Sequence, residues 1–250
     1  MGRIIERDVN SLLDAGKTTT TEQVESYLAN PAAYKAPAAE PVQADKAVVP
    51  TVGSPAKAAY TDVKVTNIRR VIAKSMHASL STMAQLTLNS SFDATELLAF
   101  RAKVKASGEA LGMANITLND MVLFAVAKTL MNHKECNAHW MDDFIRVFEN
   151  VNLGIAVDTD RGLMVPTLPA TETLTLNELS VAAKALIKET QSGSISPDKL
   201  AGASFTVTNL GSLGVESFTP VINPPQVAIL GVDCVTYRLK EDGTTYPAMG

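Results

Sequence analysis

The chain has 250 residues and a formal charge of −4, from 22 Lys and Arg against 26 Asp and Glu. Hydrophobic residues make up 46% of it, which is enough to build a core and too much for a disordered chain. The isoelectric point near 5.4 argues against nucleic-acid binding, because phosphate backbones attract clustered Lys and Arg. No apolar run approaches the roughly 20 residues of a membrane span, and residues 1–7 contain no apolar signal segment.

The two cysteines, Cys136 and Cys234, stand far apart and form no C-x-x-C pair. Neither a zinc site nor a disulfide framework is indicated, so no metal is expected. The composition predicts a soluble α/β protein of the cytosol, with one large domain alone or with appendages.

Two segments precede the main domain. Residues 2–16 carry apolar side chains at helical spacing and end on Gly16, which predicts a short helix. Residues 31–60 contain ten Ala and five Pro, and these prolines exclude a long helix. We interpret this stretch as an extended, semi-stiff linker; an irregular arm packed on the domain is the alternative.

The remaining chain alternates helical and strand-like patterns, as in an α/β fold. Thr66 or Asn67 can cap a first helix from Ile68 to about Leu80. Three further helices are predicted over 94–106, 119–131 and 176–191. On the first of these three, Leu97, Leu98, Phe100 and Val104 are candidates for burial. Strands are predicted over 84–92, 144–148, 151–157, 163–168, 204–210 and 226–232, with a turn at 158–162.

Several polar clusters have simpler explanations than catalysis. His139 and Asp143 have the spacing of a base and its carboxylate, but we interpret the segment as a surface turn. His133 and Cys136 flank that turn, and a half-buried or exposed cysteine is simpler than a nucleophile pair. His77 is interpreted as a half-exposed helix residue. The turn at 158–162 lacks the later ligands of a calcium loop.

The richest polar stretch is residues 206–211, which read Thr-Val-Thr-Asn-Leu-Gly. A strand there places hydroxyls at alternate positions and delivers an amide into a glycine-containing turn. A hydroxyl at a strand end can donate to a developing oxyanion. Threonine is also simply common in strands, so both interpretations stay open from the residues alone.

Four longer strings resemble a known family. They read TNIRRVIAKSM (66–76), LNDMVLFAVAKTL (118–130), VNLGIAVDTDRGLMVP (151–166) and FTVTNLGSLGVESFTPVINPPQVAILGV (205–232). The chain resembles the dihydrolipoamide acyltransferases, the second component of the 2-oxo acid dehydrogenase complexes, almost continuously over 62–250. It is most similar to the acetyltransferases of the pyruvate dehydrogenase complex.

The resemblance implies a domain organisation and a fold. Residues 1–16 are expected to be the end of a peripheral-subunit-binding domain, 17–61 a flexible Ala/Pro-rich linker, and 62–250 the acyltransferase catalytic domain. Its expected fold is a chloramphenicol-acetyltransferase-like mixed sheet flanked by helices, assembled as homotrimers within a larger core. Expected partners are the decarboxylase and dihydrolipoamide dehydrogenase components, in the bacterial cytoplasm or the mitochondrial matrix, with neither nucleic acid nor membrane.

The resemblance also implies a reaction and a set of site residues. An acyl group, expected to be acetyl, passes from dihydrolipoamide to coenzyme A; the lipoyl group belongs to a lipoyl domain absent from this chain. Thr208 matches the hydroxyl that donates to the oxyanion. The positions expected to contact coenzyme A are Arg101, Thr117, Asp158, Asn209, Asp233 and Val235, the last two within the segment 231–235. An arginine suits a phosphate, whereas the carboxylate of Asp158 suits a hydroxyl or an amide.

The sequence departs from the family at one point. The family's catalytic histidine lies in an H-R-x-x-D-G motif, expected shortly after the turn at 242–250, and none of the 250 residues forms that motif. We interpret the chain as cut at both ends. Because general acid–base catalysis contributes typically about 10²–10⁴-fold, we expect this polypeptide to lose on the order of 10³-fold in rate.

Two alternatives remain beside the acyltransferase. One is a structural core or docking homologue that keeps the fold and lacks catalysis. The other is a free acetyltransferase of the chloramphenicol type, which has no need for a subunit-binding helix or an Ala/Pro linker.

Overall fold

The computed structural model describes residues 60–250; the predicted binding-domain remnant (1–16) and nearly all of the predicted linker (17–61) lie outside the described residues. Four α-helices and nine short strands occur in the described range. The helices are α1 (Asn67–Thr82), α2 (Thr95–Ser107), α3 (Leu118–Leu130) and α4 (Leu176–Ser192). The strands are β1 (Phe92–Asp93), β2 (Ala138–Trp140), β3 (Ile145–Val147), β4 (Leu153–Ile155), β5 (Thr167–Leu168), β6 (Phe205–Asn209), β7 (Ile229–Val232), β8 (Val235–Leu239) and β9 (Thr245–Met249).

A four-stranded mixed sheet forms the centre, in the order β5-β4-β6-β7. β6 is parallel to both β4 and β7, and β5 is antiparallel to β4. A second, antiparallel sheet has the order β1-β9-β8, and β2 pairs with β3 as a hairpin. The predicted fold class, a mixed sheet flanked by helices, is confirmed.

The central sheet and the helices α3 and α4 share one hydrophobic core. Each helix supplies a stripe of buried side chains: Leu123, Ala127 and Leu130 from α3, and Leu179, Ala183 and Leu186 from α4. Each buried leucine stabilises the fold by about 1.5–3 kcal/mol relative to exposure. The apolar stripe predicted for 176–191 is therefore the face of α4 that packs into this core.

Threonine hydroxyls set the start of three helices. Thr66, Thr117 and Thr175 cap α1, α3 and α4, and each side chain accepts a hydrogen bond from a backbone N–H three residues later. Such caps supply partners for N–H groups that have none within the helix. The predicted helices therefore begin within one or two residues of their observed starts, and Thr66 is the cap rather than Asn67.

Two predictions around residues 84–100 are wrong. The stretch 84–92 forms a strand only at Phe92–Asp93, because no other part of residues 60–250 pairs with residues 84–91. Leu86 and Leu88 are consequently 82% and 84% exposed. Phe100 on α2 is exposed as well, while its neighbours Leu97 and Leu98 pack against the core.

Two further predictions fail because short strands replace expected turns. Residues 242–250 were expected to be a turn, but only their start is one, and Thr245–Met249 forms β9 between β1 and β8. His139 was expected in a surface turn, yet it lies in β2 opposite Arg146 and is only 9% exposed. The turn is confined to the residues that follow β2.

Within residues 60–250, no helix combines the length and the apolar character that crossing a bilayer requires.

Candidate functional site

A cavity of about 610 Å³ lies at one end of the central sheet. Residues at or just beyond the carboxyl ends of β4, β6 and β7 line it, together with the first turn of α3. These three strands are mutually parallel, so their carboxyl ends meet at the same edge of the sheet. In open α/β sheets this edge is where ligands bind.

The structure brings all seven sequence-predicted site residues together in the lining of this cavity: Arg101, Thr117, Asp158, Thr208, Asn209, Asp233 and Val235. They come from α2, the α3 cap, the segment after β4, the end of β6, and the β7–β8 connection. Residues from five separate parts of the chain thus converge on one space.

Thr208 and Thr206 lie two residues apart on β6 but have different surroundings. Thr206 is 1% exposed, and its hydroxyl donates to Gln226 Oε1 over 2.7 Å. Thr208 is half-buried at the cavity, and its hydroxyl has no hydrogen-bond partner among residues 60–250. Of the two hydroxyls, only that of Thr208 is therefore available to a molecule in the cavity.

Asn209 joins the strand end to the neighbouring helix. Its Nδ2 donates to Asn119 Oδ1 over 3.0 Å, and its Oδ1 accepts from the Gly211 N–H over 2.9 Å. Both ends of the amide are thus engaged, and the side chain is held between α3 and the turn after β6.

Gly211 marks a close approach of two backbone segments at the cavity. A Cβ at this position would lie 2.7 Å from the Asp233 carbonyl oxygen, which is closer than van der Waals contact permits. The turn after β6 can therefore approach the β7–β8 connection only with glycine here.

Two charged side chains at the cavity carry buried polar atoms without partners. Arg101 Nε and Asp233 Oδ1 are both inaccessible to water and have no hydrogen-bond partner among residues 60–250. Leaving such groups unpaired costs about 1–3 kcal/mol or more each. Both residues are only partly buried and line the cavity, so a ligand there can offer an acceptor to the guanidinium of Arg101 and a donor to the carboxylate of Asp233.

Thr117, Asp158 and Val235 complete the predicted set. The Thr117 oxygen accepts from the Asp120 N–H over 3.2 Å as the cap of α3, so this residue shapes the helix as well as the cavity. Asp158 is exposed at the cavity, after the bridge between Val157 and Met164. Val235 is half-buried at the start of β8.

The histidines lie away from the cavity. His139 Nε2 is 2.8 Å from the Ala203 carbonyl oxygen, and its ring packs edge-on against Phe148 at 4.6 Å. The chain has three histidines, and His77, His133 and His139 are all absent from the cavity lining. Within residues 60–250, no group of three His, Cys, Asp or Glu side chains is placed to hold a metal ion.

The two cysteines differ in position. Cys136 is half-buried, and burial raises the pKa of its thiol, with a smaller effect from the Glu135 carboxylate. The half-buried position agrees with the prediction of an exposed or half-buried cysteine. Cys234 lines the cavity and lies within the segment 231–235 that was expected at coenzyme A, although its side chain was not singled out. Asn119 also lines the cavity, and sequence reasoning missed it.

Comparison with known proteins points to one family. The family model for the catalytic domain of 2-oxoacid dehydrogenases acyltransferase matches residues 57–247. The chain is 31% identical over 239 residues to component 2 of the mitochondrial dihydrolipoyllysine-residue acetyltransferase of the pyruvate dehydrogenase complex from Arabidopsis thaliana, covering 95% of this chain and 40% of the relative. It is 36% identical over 172 residues to the corresponding component of Rickettsia bellii, covering 69% and 41%. The chain thus spans about two fifths of the length of these relatives.

Solved structures show the same likeness. The dihydrolipoamide acetyltransferase of Azotobacter vinelandii, studied for the role of a serine, a histidine and an asparagine in its catalytic mechanism, matches with a TM-score of 0.71 at 31% identity, covering 76% of this chain and 80% of that one. The cubic core of a pyruvate dehydrogenase multienzyme complex matches with a TM-score of 0.73 at 29% identity, covering 86% of each chain.

Proposed function

Because the chain belongs to the 2-oxoacid dehydrogenases acyltransferase family, we propose that it transfers an acyl group from dihydrolipoamide to coenzyme A, as the core subunit of a 2-oxo acid dehydrogenase complex. The observation that carries the proposal is the convergence of the seven expected residues on one cavity at the carboxyl edge of the sheet.

The free polar atoms of the cavity suit coenzyme A. Arg101 lines the cavity, and its guanidinium is the group for a phosphate of the cofactor, because charged N–H groups bind phosphate oxygens strongly. The carboxylate of Asp233, also in the lining, accepts from an amide or hydroxyl. The exposed carboxylate of Asp158 is a further acceptor, and Asn209 and Val235 belong to the same cavity lining.

Thr208 is the proposed oxyanion donor. When a thiolate attacks a thioester carbonyl, negative charge develops on the carbonyl oxygen, and a hydroxyl already in place stabilises it without reorganisation. The Thr208 hydroxyl has no partner among residues 60–250 that would compete for its proton. Loss of one such donor costs about 10²–10³-fold in turnover.

The attacking thiol also needs a base. None of the three histidines lines the cavity, and carboxylates are poorly matched bases, since their ordinary pKa values lie about four units below that of a thiol. We therefore propose that the base comes from a group outside this cavity lining, in the position that the family's H-R-x-x-D-G motif would fill.

Assembly follows from the same proposal. Val71, Leu80, Leu86 and Leu88 are large apolar residues and are exposed, and large exposed apolar patches mark protein contact surfaces. We propose that they are buried between subunits of a homotrimer within a larger core, with decarboxylase and dihydrolipoamide dehydrogenase as partners of the whole protein. The compartment would be the bacterial cytoplasm or the mitochondrial matrix, and acetyl is the proposed acyl group.

The test is an acyl-transfer assay on the full-length protein that contains this chain. Acetyl-, succinyl- and isobutyryl-dihydrolipoamide are each supplied with coenzyme A, and acyl-CoA formation is followed by chromatography. We expect acetyl-CoA to form fastest. Formation of no acyl-CoA from any donor, by a protein that still assembles into a trimer in mass photometry, would support the non-catalytic core homologue instead.

A further inference from the structure

A row of polar side chains on α4 forms hydrogen bonds with the segment that leads into α3. Asn177, Ser180 and Lys184 fall at helical positions i, i+3 and i+7, which share one face of a helix. Asn177 Oδ1 accepts from the Ala114 N–H over 2.8 Å, and Lys184 Nζ donates to the Asn115 carbonyl oxygen. The row has the composition of a solvent-facing surface but instead holds another part of the chain.

The same row of side chains ends on a buried carboxylate. Asp120 is 2% exposed, and its Oδ2 accepts from the Ser180 hydroxyl over 2.8 Å and lies 3.1 Å from Lys184 Nζ. The same oxygen accepts from the Thr117 N–H over 2.8 Å. Three donors therefore converge on one carboxylate oxygen, which offsets the cost of burying its charge.

The residues just before Asp120 belong to the cavity. Thr117 and Asn119 both line it, and Asn119 receives the hydrogen bond from Asn209. The first turn of α3 is thus clamped between α4, through Asp120, and the end of β6, through Asn119.

Helix capping alone does not require this arrangement, as a second cap in the same protein demonstrates. Glu178 completes an equivalent capping box at the start of α4, where its carboxylate accepts from the Thr175 N–H and hydroxyl. Glu178 is exposed and has no partner from another helix among residues 60–250. Asp120 differs in being buried and in binding a serine and a lysine of α4.

We propose that Asp120, Ser180 and Lys184 form a positioning group for the site. They fix the first turn of α3, so that Asn119 holds the Asn209 amide and the turn at Gly211–Leu213 in place at the cavity. The consequence for turnover rests on the proposed acyl transfer, whereas the consequence for local order does not.

The test compares two variants with matched controls in the full-length protein. Ser180→Ala and Lys184→Met remove members of the positioning group; Ser192→Ala and Lys188→Met make the same changes at exposed positions of α4. Lys184→Arg is the conservative rescue. Hydrogen–deuterium exchange of the peptides covering 114–120 and 208–213 is measured for each, together with KM for coenzyme A and kcat.

We expect both variants to raise the exchange rate in the two peptides, although these are far apart in sequence. We also expect KM for coenzyme A to rise on the order of tenfold, because a small displacement of the groups that position a substrate strongly impairs a site. The controls should leave both readouts unchanged, and Lys184→Arg should restore them. Faster exchange confined to 114–120 would overturn the inference, because it would show that Asp120, Ser180 and Lys184 stabilise only the start of α3. If the wild type forms no acyl-CoA, the proposed function fails, but the exchange comparison still decides the positioning claim.

Discussion

The side-chain amide of Asn209 donates to the side-chain oxygen of Asn119 over 3.0 Å, joining the last residue of β6 to the second residue of α3. The two residues are 90 positions apart in the chain. Because Asn209 also accepts from the Gly211 N–H, this one contact ties a helix, a strand end and a turn into a single wall of the cavity.

Replacing Asn119 with Ala should lower both the stability of the protein and its affinity for coenzyme A. The change leaves the Asn209 amide without its partner, so we expect the free energy of unfolding to fall by about 1 kcal/mol and KM for coenzyme A to rise severalfold. Asn132→Ala, at an exposed position just after α3, is the control. Denaturant titration and steady-state kinetics measure the two effects, and an unchanged KM in Asn119→Ala would show that the contact has no role in binding.

Arg101→Gln should reduce the affinity for coenzyme A. Hydrogen bonds to charged groups are worth about 1.5–3 kcal/mol, so the dissociation constant should rise roughly tenfold to a hundredfold. Lys103→Gln, an exposed position on the same helix, should bind like the wild type. Calorimetric titration with coenzyme A and with its 3′-dephospho form locates the contact: if both ligands bind Arg101→Gln as tightly as the wild type, Arg101 does not bind phosphate.

Gly211→Ala and Gly214→Ala should differ in their effect on the site. The new Cβ at 211 meets the Asp233 carbonyl oxygen at 2.7 Å, whereas at 214 nothing lies within 4 Å and only the positive φ of 73° opposes the change. Overpacking costs about 1–3 kcal/mol, so Gly211→Ala should lose that stability and bind coenzyme A more weakly. Gly214→Ala should lose about 1 kcal/mol from backbone strain and keep its affinity. Equal coenzyme A affinities in the two variants would contradict the close approach.

Glu178 should make stability depend on pH. The Thr175 N–H, and then the Thr175 hydroxyl, hold the pKa of the Glu178 carboxyl below its ordinary value. A carboxyl whose pKa is lowered by folding stabilises the protein above its unfolded-state pKa, and that stabilisation disappears as the pH falls through the folded-state pKa.

Glu178→Ala should therefore be less stable than the wild type at pH 7, with a difference that shrinks below about pH 4.5. Urea titrations between pH 3 and pH 7 measure this difference, with Glu109→Ala, at an exposed site outside the helices, as the control. A difference that grows towards pH 3 would show that the capping bond does not carry the effect.

The helices α3 and α4 were predictable because two independent signals coincide in each of them. For α3 and α4, a threonine cap and an apolar stripe lie in register, and both helices begin within one residue of the predicted start or at it. Short strands depend on partners that lie far away in sequence. The alternation around Leu86 and Leu88 predicted a strand that has no partner within residues 60–250. Gly243 and Pro247 gave the composition of a turn to a segment that mostly pairs as β9.

The candidate site was predictable only in part. The residues alone did not separate Thr206 from Thr208, since the difference lies in Gln226, which occupies the Thr206 hydroxyl from 20 positions away. The resemblance pointed to Thr208. The role of α4 was not predictable, because Ser180 and Lys184 have the pattern of a solvated face and reveal their partner Asp120 only in three dimensions.

A comparison of Thr208 variants tests whether the Thr208 hydroxyl stabilises the oxyanion of acyl transfer. Acetyl transfer from acetyl-dihydrolipoamide to coenzyme A is measured in the full-length protein for the wild type, Thr208→Val and Thr208→Ser. We expect Thr208→Val to lower kcat by about 10²–10³-fold with little change in KM for coenzyme A. Thr208→Ser, which keeps a hydroxyl, should retain most of the turnover. A Thr208→Val protein that turns over at the wild-type rate would show that this hydroxyl does not stabilise the oxyanion.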